Sequence, residues 1–74
     1  MTPKLPSLTA REIIAVLERQ GYYRARRSGS HLIMKHPTRK RVTIPIHGKK
    51  DLTVGVLCSI MRDAELTLED MLNR

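Results

Sequence analysis

Four turn signals cut the middle of this chain into pieces too short to be helices. They are Gly21, the pair Ser28-Gly29, the run Pro37 to Lys40, and His47-Gly48. Between them lie Tyr22 to Arg27, Ser30 to His36 and Arg41 to Ile46. Amphipathic helices in globular domains need roughly 10–12 residues, whereas strands need only 4–8. Three strand-length segments joined by tight turns can pair only as antiparallel neighbours, because parallel strands need long crossovers.

The flanks read differently. Pro3 and Pro6 make an extended lead-in up to Ser7. Thr9 and Glu12 then form a T-x-x-E capping box, and Leu8 can staple onto Ile13. Ile13, Val16, Leu17 and Gln20 fall at i, i+3, i+4 and i+7, which predicts a helix from Ala10 to about Gln20, ended by Gly21. On the other side Thr53 is a candidate N-cap. Val54, Leu57, Cys58 and Met61 predict the buried stripe of a second helix running to about Ala64. Thr67 with Asp70 caps a last short helix, Leu68 to Asn73, whose Met71 and Leu72 would fold back onto the core.

Within the strands, Tyr23 and Ala25 are expected on one side and Arg24 and Arg26 on the other. Leu32 and Met34 should face the core, with His31, Ile33 and Lys35 outward. Arg41 to Ile46 should bury Val42, Ile44 and Ile46, with Pro45 marking an edge or strand end. Two amphipathic helices can cover one face of such a sheet and leave the other open. The expectation is an α+β domain of the double-stranded-RNA-binding-domain type, α-β-β-β-α with a short C-terminal helix. Its length of 74 residues suits a single domain spanning 1–74. The core must be aliphatic, since the chain has no Trp or Phe.

Charge is distributed unevenly. Of the fourteen Lys/Arg residues, ten lie between Arg19 and Lys50, a stretch with no Asp or Glu, while the two ends together carry −3. A one-signed patch attracts polyanions, most often nucleic acid. The lone Cys58 excludes an internal disulfide framework. No apolar run approaches the ~20 residues of a membrane span, and no signal peptide is evident, so a cytoplasmic location is expected.

All three histidines lie in the basic stretch. His31 follows Gly29-Ser30 and sits among Arg26, Arg27 and Lys35, which makes it the catalytic candidate. Histidine is the side chain best suited to moving protons near neutral pH. His47 could contact substrate or cap the third strand, and His36 is expected to be an exposed turn residue. The His spacings and the lack of carboxylates argue against a metal site. Neither a P-loop nor a dinucleotide fingerprint is present, so no small-molecule cofactor is expected. Ser30 is a poor nucleophile, because neighbours on a strand point apart. RNA cleavage needs less apparatus: RNA supplies its own 2′-OH, and a base, an acid and a few cations do the rest. The expected RNA-contacting set is Arg26, Arg27, Ser30, Lys35, Arg39, Lys40, Arg41, His47, Lys49 and Lys50.

These residues resemble a known pattern. Lys4-Leu5-Pro6, Gly21-Tyr22, Arg26-Arg27-Ser28-Gly29-Ser30-His31, His36-Pro37, Arg41 to His47 and Gly55 to Ala64 are together similar to HicA-type toxins of HicA–HicB toxin–antitoxin pairs. The resemblance covers nearly the whole chain. It implies a double-stranded-RNA-binding-like fold and a cytoplasmic, metal-independent endoribonuclease. It implies mRNA as substrate, the histidine of Gly-Ser-His, here His31, as catalytic, and a HicB-like antitoxin as partner. Tyr22 stands where Phe is commoner, and Val56 where Thr is frequent. The alternatives are a non-catalytic RNA-binding module and a subunit whose role is a repressing or sequestering complex.

Overall fold

A computed structural model describes residues 6–46 and 50–72. The elements are α1 (Ala10–Arg19), β1 (Tyr23–Ser28), β2 (His31–Lys35), β3 (Val42–Pro45), α2 (Val54–Ala64) and α3 (Leu68–Leu72). The strands form one antiparallel sheet in the order β1-β2-β3. This is the α-β-β-β-α layout with a short third helix, consistent with the double-stranded-RNA-binding-domain type.

α1 starts as its sequence dictates. The Thr9 side chain accepts from Glu12 N at 3.3 Å, and Glu12 Oε1 accepts from Thr9 N at 3.0 Å. These reciprocal bonds satisfy two backbone donors that the first turn would otherwise leave open. Ala10, Ile13, Ile14, Val16 and Leu17 are buried. Gly21 follows the helix at φ 100, a left-handed conformation that a Cβ would strain.

β2 and β3 alternate as expected. Leu32, Met34, Val42 and Ile44 are buried and join α1, α2 and α3 in one core. Ile46 is half-buried against it, just past the end of β3. The segment before α1 and the loop after β3 are tied together, since Leu52 N donates to Leu8 O at 2.7 Å. Thr53 and Thr67 cap their helices. Thr53 Oγ1 accepts from Val56 N, while Thr67 and Asp70 exchange two bonds.

Within the helices and strands, the structure corrects the sequence reading in three places. The first is β1, whose pairing with β2 shifts between Arg24 and Arg26, leaving Ala25 as an extra residue. Such a bulge reverses the alternation beyond it. The second is α2, which buries Leu57, Ile60 and Ala64, not Val54 and Cys58. Val54 is exposed, and Met61 only packs against the core's margin. Both stripes fit a 3.6-residue period, and the one carrying the two bulkiest aliphatic side chains is buried. Third, α3 buries Met71 but leaves Leu72 exposed.

Candidate functional site

The hairpin between β1 and β2 is closed by two residues, Gly29 and Ser30, since Ser28 pairs with His31. Gly29 takes φ 57, which is why a glycine is needed at this position. The tip is braced twice. Arg27 Nε donates to Gly29 O at 3.3 Å, and Ser30 O accepts from Ile46 N at 2.6 Å. His31 therefore leaves a hairpin end held to both neighbouring strands. Its side chain is exposed, and none of the described residues hydrogen-bonds to its ring.

Strand register decides what shares a face with His31. His31, Ile33 and Lys35 point to the open side of β2. Their partners on β1 are Ser28, Arg26 and Tyr23, and on β3 His31 faces Pro45 and Ile33 faces Thr43. The open face thus carries one histidine, two cations, one exposed tyrosine and no acid among the described residues. The bulge at Ala25 is what brings Tyr23 and Arg26, three positions apart, to the same side. Arg24 and Arg27 pair with Met34 and Leu32 and so belong to the helix side.

On that helix side lies a groove of about 620 Å³ between α1 and β1. Ile14, Leu32 and Ile46 contribute apolar lining and Arg11, Arg24 and Arg27 contribute cations, while Arg26, whose register puts it on the open face, only borders the groove along β1. It is on the opposite face of the sheet from His31. Sequence reasoning missed Arg11, because it sits in the acid-bearing flank and only the fold brings it to the arginines of β1. Arg24 also lies 3.6 Å from Glu18, a solvent-exposed ion pair of little energetic consequence.

The remaining expected contact residues are dispersed. Ser30 is at the hairpin tip. Lys40 and Arg41 are exposed at the opposite end of the sheet, and Lys50 lies in the loop after β3. Arg39 is half-buried and donates from Nη1 to Ala64 O at 3.1 Å, closing the C-terminus of α2. His47 and Lys49 lie outside the described residues. The three helices are too short or too polar to cross a membrane.

His36 is not the exposed turn residue that its sequence position suggests. Its Nε2 donates to Gln20 O at 2.9 Å, while Nδ1 accepts from the backbone N–H of Thr38 and Arg39. A carbonyl can only accept, so the ring carries its proton on Nε2. The ring lies 4.9 Å from that of Tyr22, tilted by 54°. Tyr22 is buried and donates its hydroxyl to Lys40 O at 2.6 Å. Burial pushes the Tyr22 hydroxyl above its ordinary pKa of 10.0, Arg39 partly offsets this, and Glu65 and Asp63 reinforce it. This cluster anchors the end of β2 distant from His31.

The fold and its open face define a small basic α-β-β-β-α domain that presents, among its described residues, one exposed histidine at a hairpin braced by two hydrogen bonds. Over residues 10–66, from the start of α1 to just beyond α2, the chain matches the family of HicA toxins of bacterial toxin–antitoxin systems, and it belongs to that family. No curated protein matches it. Membership assigns it the toxin role in such a pair, with a cognate antitoxin as partner.

Proposed function

We propose that this toxin is an endoribonuclease that cleaves mRNA in the cytoplasm, with His31 as a general acid or base. The observation that carries the reading is the placement of His31: exposed, on a braced hairpin, on a sheet face with cations and no acid among the described residues. The 2′-OH loses its proton and attacks the adjacent phosphorus. The O2′–P bond forms, the P–O5′ bond breaks, and the leaving oxygen takes a proton. The products are a 2′,3′-cyclic phosphate and a 5′-OH. Histidine serves either proton step, and Arg26 on the same face can stabilise charge on the phosphoryl oxygens. A HicB-like antitoxin fits as the inhibitor, an acidic cover over the hairpin and the open face.

The test is single-turnover cleavage of one defined RNA, in EDTA, by wild type and His31→Ala, alongside a binding titration. Cleavage should fall roughly 10²- to 10⁴-fold, the usual worth of a positioned acid–base group. RNA affinity and thermal stability should barely change, because the side chain is exposed and lies outside the buried core. Undiminished cleavage by folded His31→Ala would overturn the assignment. Binding without cleavage by the wild type would leave a non-catalytic RNA-binding module.

A further inference from the structure

We propose that Tyr23 is a stacking platform for an unpaired RNA base, on the track that leads along the open face from His31. The inference deepens the ribonuclease reading and rests on it for the identity of the ligand. Three observations support it. Tyr23 is 54% exposed, and the other exposed large apolar residues among those described, Val54 and Leu72, lie on α2 and α3. Register places it opposite Lys35, one outward-facing position beyond Ile33 and four residues along β2 from His31. At the usual strand rise of ~3.4 Å per residue, that separation is roughly 14 Å.

The bulge gives the third observation. An unbroken β1 would put Tyr23 and Arg26 on opposite sides. With Ala25 extruded, both stand on His31's side. Bulges commonly re-aim side chains next to functional sites. The resulting face offers an imidazole at one end, Arg26 and half-buried Ile33 in the middle, and Tyr23 beside Lys35 at the other. A nucleic-acid strand needs alternating phosphate contacts and flat apolar surfaces, and proteins that hold single strands supply cations and exposed aromatics together. No acid on this face among the described residues opposes a phosphate. A duplex keeps its base faces stacked internally, so the ligand that uses the ring of Tyr23 is single-stranded.

The experiment measures binding apart from cleavage. In a His31→Ala background, a single-stranded RNA spanning the cut site is titrated against protein with Tyr23, Tyr23→Phe or Tyr23→Leu. The RNA is used intact, with one abasic nucleotide moved along it, and as a duplex. Tyr23→Leu should weaken binding of the intact strand roughly 5- to 150-fold, the span of one base–aromatic stack. Tyr23→Phe should keep the affinity, since the ring and not the hydroxyl is used. One abasic position should erase the difference between Tyr23 and Tyr23→Leu, and the duplex should show no difference. Equal affinity of Tyr23→Leu and Tyr23 for the intact strand would overturn the platform. So would an equal loss with Tyr23→Phe, or an equal loss on the duplex. Wild-type cleavage is assayed separately: Tyr23-dependent binding without cleavage defeats only the ribonuclease reading, and cleavage with Tyr23-independent binding defeats only the platform.

Discussion

Tyr22 and Tyr23 are neighbours with opposite fates. Tyr22 turns inward, spends its hydroxyl on Lys40 O and lies against the ring of His36. Tyr23 faces solvent on the sheet's open side. The raised pKa of Tyr22 has a definite consequence for stability. A group whose folded pKa lies above its unfolded value contributes stability that is fully present below the unfolded pKa and is lost as pH rises through the folded one. The protein should therefore lose stability above about pH 10, the ordinary tyrosine range. Tyr22→Phe removes that contribution. Urea unfolding should show the variant destabilised by roughly 1 kcal/mol at neutral pH, through loss of one hydrogen bond. Its stability should also depend less steeply on pH above 10. Equal alkaline slopes for the two proteins would show that another group governs the loss. His36 explains why Gly21 lacks a side chain beyond its φ of 100: a Cβ there would stand 3.0 Å from His36 Nε2.

At the level of elements, the hairpin tip offers the cleanest measurement. Gly29 has φ 57, and a Cβ built on it meets nothing within 4 Å. The cost of Gly29→Ala is thus backbone strain alone, roughly 1–2 kcal/mol for a left-handed residue. In a domain this small that lowers Tm by several degrees, at ~4–8 °C per kcal/mol. A calorimetric scan showing no shift would mean that the turn relaxes into another type. Helices α1 and α3 were legible in the sequence because their caps are local: Thr9 with Glu12 and Thr67 with Asp70 carry the signal within four residues. β2 and β3 were legible from their alternation. The bulge was not, because nothing in Arg24-Ala25-Arg26-Arg27 distinguishes an extruded alanine from a paired one. Nor was the role of His36, whose partner Gln20 lies sixteen residues away in the chain. For the candidate site, the Gly-Ser-His turn was readable as a turn, but which cations accompany His31 depended on register. Arg26 stays with it, while Arg27 goes to the other face and Arg39 to the end of α2.

On the scale of the whole molecule, the formal charge of +7 does not form one patch. Cations line the α1–β1 groove, stand on the open face and cluster at the far end of the sheet. The salt dependence of RNA binding can separate these regions. For single strands the log–log slope changes by roughly 0.7 per phosphate contact. Arg26→Gln and Lys35→Gln should each make it shallower by about that amount. Arg39→Gln should leave it unaltered, because the Arg39 guanidinium is already bonded to Ala64 O. A slope shifted by Arg39→Gln and by neither of the others would move the RNA path to the end of the sheet.

β1 carries one more consequence. It is an outer strand, and none of its six residues is buried, so its unpaired backbone groups are open to another chain. A flat, uncharged strand in that position is a template for edge-to-edge aggregation. Here Arg24, Arg26 and Arg27 repel the same edge of a second copy, and the bulge at Ala25 spoils the straight ladder that such a copy would need. The charges that can draw a polyanion to this domain therefore also oppose pairing of this edge with the same edge of a second copy. Where an acidic partner neutralises them, that partner must itself cover the edge it has disarmed.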